Sequence, residues 1–346
     1  MPRAASEELA ETVRGISPTV AVQVTETFLQ RHPDWRIRYG ARAMSAGVQD
    51  AGYHLAFLAG AVEGGDPSVF AAYGQWAARV LAARGIERSF LAENLEQLRD
   101  AVGARVGVTD ARTLAPYFRA ALEAVSSDPQ PTEETTLNLT TQVFLQAILT
   151  GQRHAALQIA REALRDGLTL RDLYVDVFQQ ALYEVGARWE ANRVTVAQEH
   201  IATAITQYVM AQIYEAPDVE GAGRGTVVLT GVEGELHNIG AVMVGDLLET
   251  SGWRVRFLGT NLPAASILTV IRETAPSHVG ISATMLFNVG AVRDLIGAIR
   301  SEFAERVTVV VGGAAFRTAP ELWRQVAADG FATDLRGVQA LFAGTT

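Results

Sequence analysis

The sequence predicts an α + α/β protein: an all-helical N-terminal domain, a four-helix bundle, then a doubly wound, five-stranded parallel sheet. Apolar residues recur at helical spacing up to about residue 214. Two stretches rich in Pro, Gly, Ser and acid, 126–132 and 217–225, read as linkers. Beyond the second, short β-branched runs alternate with helical stretches, which is the pattern of βαβ units. With 346 residues, 49% of them hydrophobic and 19% charged, the chain can bury two or three separate cores.

Residues 1–127 read as helices throughout, clearest over Pro18–Arg31, a long stretch after Asp34, Pro67–Arg84 and Glu87–Val102. Gly64-Gly65-Asp66-Pro67 forms a turn in which Asp66 caps a helix and Pro67 takes its first position. Residues 133–216 show four further helical segments, broken at Gly151, at Asp166-Gly167 and near Asn192, with Thr169 placed to cap one of them. That spacing suits a compact bundle. Residues 225–346 then carry strands at Thr226–Thr230, Trp253–Leu258, His278–Ser282 and Val307–Val311, with a weaker fifth at Gly330–Ala332. Strands joined through helices form a parallel sheet with right-handed crossovers, and ligands bind at the carboxyl ends of its strands. The loops after Thr230, Leu258, Ser282 and Val311 are therefore where chemistry is expected.

Charge and composition exclude several classes. A net charge of −9 speaks against nucleic-acid binding, which needs a basic face. No apolar run approaches a membrane span, and no signal-like segment opens the chain, so a cytoplasmic protein is expected. There is no cysteine, which removes disulfides, thiolate metal sites and thioether-linked chromophores. There is also no lysine, so all 29 basic residues are arginine and a Schiff-base cofactor has no attachment point. Any cofactor is held non-covalently or through histidine.

The loop after the first strand runs Gly231-Val232-Glu233-Gly234-Glu235-Leu236-His237-Asn238-Ile239-Gly240. Ser282-Ala283-Thr284 follows the third strand and Gly312-Gly313 ends the fourth. In order and position these resemble the Asp-x-His-x-x-Gly, Ser-x-Leu/Thr and Gly-Gly signature of base-off/His-on cobalamin domains, which have a flavodoxin-like fold. The resemblance implies His237 as the lower cobalt ligand, its other nitrogen held by Glu235. It implies that Gly240 opens the helix start for the displaced nucleotide tail and that Gly312 and Gly313 let backbone approach it. Ser282 can then hydrogen-bond its base, with Thr284, the last residue of the same motif, as a further cofactor-binding position. Glu235 stands where the common motif has Asp, so a looser or water-mediated coupling to His237 is expected. Adenosylcobalamin photoreceptors of the CarH type use Glu there.

Trp189-Glu190-Ala191-Asn192-Arg193-Val194-Thr195-Val196-Ala197-Gln198-Glu199-His200 resembles the Trp-x9-Glu-His motif of the same photoreceptors. There the Trp and the Glu-His pair surround the adenosyl group over the upper cobalt face; an indole packs on adenosine and a carboxylate accepts from ribose hydroxyls. Read alone, Trp189 is a core residue and Glu199-His200 a surface pair. Glu190 occupies the place where the relatives carry a His that takes the vacated upper site, so the group that follows the adenosyl there is left open.

The first 127 residues lack the winged-helix pattern with which such photoreceptors usually begin. They carry Trp35, Arg36, Arg38, Tyr39, Arg42, Tyr53, His54 and Phe57 close together. With the bundle and cobalamin domains, this resembles photocobilins, B12 photoreceptors that also hold biliverdin, here necessarily without a covalent link. Arginines pair with propionates and aromatic faces stack on pyrroles. The same residues also read as an ordinary amphipathic helix with a wet arginine face.

Three functions stand at this point. A light sensor would change domain or subunit packing when the carbon–cobalt bond breaks. A corrinoid carrier for methyl transfer shares the bundle-plus-sheet layout. A haem-type sensor would use His54 as iron ligand. No nucleophile–base pair stands elsewhere, so the chain is not read as an enzyme. A homo-oligomer with a light-dependent state is expected, signalling through its own assembly or to a separate effector, with no nucleic acid and no membrane as partner.

Overall fold

The computed structural model describes residues 3–127, 136–215, 223–319 and 321–343. Parts of both linkers lie outside the described residues. The chain divides into two compact units. One gathers the helices of the first 127 residues with Met285–Gly290 and Thr318–Gln325; the other holds the bundle and the sheet.

The first unit contains α1 (Arg3–Arg31), α2 (Pro33–Tyr39), α3 (Arg42–Glu63), α4 (Pro67–Ala82), α5 (Arg88–Gly103) and α6 (Val108–Ser126). Two boundaries differ from the sequence expectation. The helix expected from Pro18 is the second half of a single 29-residue helix that runs through that proline. Proline removes one backbone donor and usually kinks a helix, but here buried Val13, Val20, Ala21 and Val24 hold both halves to one core. The stretch after Asp34 is broken at Gly40, whose φ of 56° and ψ of −137° are open only to glycine. Asp66 caps α4 as expected, its side chain accepting from Ser68 N–H at 2.8 Å.

The bundle comprises α7 (Leu139–Leu149), α8 (Arg153–Arg165), a third helix and α11 (Val196–Ile213). The third helix starts as α9 (Leu170–Asp172), passes through a π turn over Leu173–Phe178 and continues as α10 (Gln179–Glu190). Thr195 and Gln198 cap α11 reciprocally. Phe144, Ile148, Leu173, Tyr174, Phe178 and Val209 fill the bundle core.

The sheet follows: β1 (Thr226–Gly231), α12 (Ile239–Thr250), β2 (Arg254–Phe257), α13 (Ala264–Thr274), β3 (His278–Ser282), α14 (Val289–Phe303), β4 (Thr308–Gly312), α15 (Ala314–Thr318), α16 (Leu322–Gln325), β5 (Gly330–Ala332) and α17 (Leu335–Ala343). All strands are parallel in the order β2-β1-β3-β4-β5. The order reverses between β1 and β3, and that switch point opens a crevice at the strand ends. Bundle and sheet share one unit because Met243, Leu247 and Leu335 belong to the bundle core. Polar contacts tie the same layers: Tyr174 Oη donates to Asp246 Oδ2 at 2.6 Å, Gln207 Nε2 to Asn238 Oδ1 at 2.8 Å, and Tyr214 Oη to Glu249.

Candidate functional site

The loop leaving β1 stands beside the switch point. Glu233 and Gly234 turn the chain, with Gly234 at φ 85°, and bring Glu235 inward. Glu235 is completely buried and saturated with donors. Its Oε1 accepts from the His237 backbone N–H at 2.9 Å and bonds His237 Nδ1 at 2.6 Å, while Oε2 accepts from Thr284 N–H at 2.6 Å. The looser coupling expected from the extra methylene is therefore corrected. Thr284 lies on the neighbouring strand's loop, and its N–H reaches the longer side chain and holds it against the imidazole.

The electrostatics follow from this contact. Burial pushes the Glu235 carboxyl up, but the His237 ring and the two backbone N–H groups outweigh it and hold the carboxyl below its ordinary range. The Glu235 hydrogen bond raises the His237 ring, opposed by burial, with the charges of Glu235 and Glu199 adding to the rise. Nδ1 faces Glu235, so a neutral ring with its proton on that nitrogen presents the Nε2 lone pair on a side chain that is 58% exposed. That is the arrangement of a histidine prepared for a metal, with a carboxylate raising its basicity.

Behind His237 a deep cleft with about 1200 Å³ of empty space, mouth included, runs down between the strand ends and the flanking helices. Gly240, Ser282, Thr284, Gly312 and Gly313 all line it, as the sequence places them. A methyl group on Gly240 would meet nothing within 4 Å, so a side chain there grows into the cleft. Gly313 has a different reason: φ is 101°, and a methyl group would come 2.3 Å from the Ala283 carbonyl oxygen. Leu335, Val338 and Phe342 of α17 form an apolar wall that no motif announces. Gln179 Oε1, on the bundle side, is buried without a partner. An apolar slot beside a free imidazole nitrogen, kept open at Gly240 and with one orphan acceptor, fits a corrinoid's nucleotide tail and its amide groups.

On the bundle, Trp189 packs half-buried against the core. Glu199 sits one turn into α11, bonded to His200 Nδ1 at 2.5 Å and accepting from Thr203 Oγ1 at 3.0 Å. His200 is largely exposed, its side chain 74% accessible. The charge of Glu199 reaches the His237 ring, so the bundle contributes to the electrostatics of that imidazole.

A second cavity lies inside the N-terminal unit, with about 770 Å³ of empty space including its mouth. Trp35, Tyr39 and His54 line it, with Phe28, Phe90, Asp50 and Asn94, which the sequence did not single out. Arg36, Arg38 and Arg42 are exposed and do not line it, so the expected arginine contacts are corrected: helical phase turns them to solvent. Tyr53 is also exposed, and Phe57 stacks on Tyr73 at 3.9 Å. His54 is 7% exposed and bonds Tyr73 Oη through Nδ1 at 2.7 Å. Burial lowers its pKa to about 4, so the ring is neutral at pH 7. Burial likewise raises the Asp50 carboxyl, and Asn94 Oδ1 is buried without a partner.

Comparison with known proteins agrees with this geometry. Residues 225–337 match a B12 binding domain family, and residues 141–214 match a second family described as a B12 binding domain. Dimethylamine corrinoid protein 3 of Methanosarcina acetivorans is 31% identical over 154 residues, 43% of this chain and 70% of that protein. The HTH-type transcriptional repressor CarH of Myxococcus xanthus is 27% identical over 233 residues, 65% of this chain and 75% of the repressor. Among solved structures, the Methanosarcina barkeri monomethylamine corrinoid protein superposes with a TM-score of 0.52 at 19% identity, over 58% of this chain and 96% of that one, which shows a shared fold. The chain belongs to the B12-binding corrinoid proteins. Its bundle and sheet are a cobalamin-binding unit, and no helix among the described residues is long and apolar enough to cross a membrane.

Proposed function

We propose that this protein senses light with adenosylcobalamin, bound base-off with His237 as the lower cobalt ligand. The observation that carries the ligation is the His237–Glu235–Thr284 chain, which holds the imidazole by Nδ1 and leaves Nε2 toward the crevice. When bound, adenosylcobalamin supplies a carbon–cobalt bond that visible light breaks. Trp189 offers an indole face for the adenine, and Glu199, steadied by His200 and Thr203, offers an acceptor for ribose hydroxyls. Similarity to the CarH repressor along 233 residues supports the photoreceptor reading over cofactor binding alone. After illumination the vacated cobalt position would be taken either by water or by another side chain, for which His200, exposed and nearest in sequence to Glu190, is the candidate.

The output belongs to packing. Bundle and sheet meet around α12 through a shared apolar core and a set of polar contacts, so in this reading a change above the corrin alters how these layers or two subunits pack. The protein acts in this reading as a cytoplasmic homo-oligomer without catalysis of its own, binding neither nucleic acid nor membrane, and passing its signal to a separate effector. Biliverdin would be held non-covalently in the N-terminal cavity, where Phe28, Trp35 and Phe90 supply aromatic faces and Asn94 Oδ1 and Asp50 supply acceptors for pyrrole N–H groups. The alternative occupant of the same cavity is haem, for which His54 would be the iron ligand.

The test loads the purified chain with adenosylcobalamin in the dark and follows absorbance and sedimentation under green light. Both should change; an unaltered spectrum sinks the light-sensing reading. Added biliverdin should give a bound red-absorbing band that Trp35→Ala weakens, whereas a Soret band with haem alone assigns the cavity to haem. A corrinoid carrier for methyl transfer is the second reading, favoured by the relatives named as dimethylamine corrinoid proteins. A carrier binds methylcobalamin as tightly as adenosylcobalamin; a sensor built around Trp189 and Glu199 prefers the adenosyl form.

A further inference from the structure

Three polar side chains at the mouth of the slot have no part in holding the imidazole. Gln179 and Tyr183 lie one turn apart on α10, and Arg317 stands on α15, four residues beyond Gly313. Arg317 Nη1 donates to Tyr183 Oη at 2.6 Å, and its guanidinium carbon lies 5.2 Å from the centre of that ring. Gln179 Nε2 donates to the same oxygen at 2.6 Å. Tyr183 is thus pinned from both sides although its side chain is well exposed, and the guanidinium is held over the cleft. The other described residues lining the slot include no arginine, and they are mostly apolar or glycine.

That placement has a chemical counterpart. A complete corrinoid carries one anionic group, the phosphodiester that joins the corrin side chain to the nucleotide base. We propose that Arg317, steadied by Tyr183, binds this phosphodiester, so that the chain selects corrinoids with a nucleotide tail over tail-less ones. The proposal rests on the reading that the tail enters the slot base-off. A planar guanidinium suits both halves of the task, since it donates in pairs to phosphate oxygens while one face stays on the tyrosine ring. With Tyr183 already holding it, little side-chain freedom is left to lose on binding. Gln179 Oε1, orphaned beside it, accepts from an amide of the corrin periphery.

The competing explanation is that Arg317 and Tyr183 only tether the bundle to the sheet. Spectral titration of the full chain with cobalamin and with cobinamide, which lacks the nucleotide, separates the two. Wild type should bind cobalamin more tightly. Arg317→Gln should lose about tenfold in cobalamin affinity and leave cobinamide affinity unchanged. Arg317→Lys should recover part of the loss, and Tyr183→Phe should weaken cobalamin binding in the same direction by less. Equal weakening for both ligands, or none for either, overturns the proposal in favour of a tether or a solvated arginine. Electron paramagnetic resonance of the Co(II) form reads the underlying assumption independently. Benzimidazole nitrogen on cobalt removes the base-off reading and the proposal together, whereas His237 nitrogen with an unchanged ligand preference removes the proposal alone.

Discussion

At the scale of single residues, the site depends on what surrounds His237 more than on the histidine itself. Glu235 is buried, accepts from two backbone N–H groups and bonds the His237 ring, and so is fixed by the fold itself. Glu235→Gln keeps an acceptor for Nδ1–H but loses the charge, and should weaken corrinoid affinity by about tenfold to a hundredfold, measured by titration. His237→Ala should remove the nitrogen signature from the Co(II) spectrum; an unchanged spectrum would overturn the ligand assignment. Two glycines of the slot should fail in different ways. Gly240→Leu fills the cleft, so corrinoid binding is lost while the thermal midpoint of the free protein holds. Gly313→Ala is strained by its φ of 101° and by the Ala283 carbonyl, and should cost roughly 1–3 kcal/mol of stability in denaturant unfolding.

At the scale of elements, α12 links the cobalamin loop to the bundle. Its Asp246 receives the Tyr174 hydroxyl, and burial, with the neighbouring Glu249 charge, pushes its carboxyl up to about 6 against the opposing Tyr174 bond. A carboxyl raised in the folded state contributes stability below its unfolded value, and that contribution is lost as pH rises through the folded one. The window therefore runs from about pH 4 to about pH 6. Asp246→Asn removes the titration but keeps an acceptor, so its melting temperature relative to wild type should rise between pH 4.5 and pH 7.5. A difference constant with pH would show that Asp246 is solvated. The π turn that presents Tyr174 also leaves the Asp176 carbonyl to accept from Thr141 Oγ1 at 2.7 Å. Helical periodicity located this helix and its Thr169 cap, but one extra residue in a turn leaves the apolar pattern nearly intact and so stays invisible.

At the scale of the whole molecule, one unit carries a corrinoid slot and the other an aromatic-walled cavity, each lined from within its own unit. The cavities should load independently: Gly240→Leu should abolish cobalamin binding and leave biliverdin titration as in wild type. Loss of both together would show that the variant is misfolded. The helical pattern stops at both linkers, yet bundle and sheet form one compact unit and not two. Met243 and Leu247 each read as ordinary residues of an amphipathic helix, and only the partner layer shows that α12 faces the bundle.

The order of elements, the parallel sheet and the polar and glycine residues that line the cleft at the strand ends are legible in the sequence. Period, turn chemistry and a short motif are local properties, and they placed His237, Glu235, Gly240, Ser282 and Gly312-Gly313 on the correct loops. Tertiary structure decided the rest, because it depends on which residues meet across the fold. The Thr284 N–H closes on Glu235 only through pairing of β1 with β3, 49 residues apart in the chain. Arg317 reaches Tyr183 only because the bundle's third helix stands over the mouth of the slot. The arginines of the N-terminal cluster turned out to face water while Asp50 and Asn94 face the cavity, since burial is a property of the packed helices and not of their order along the chain.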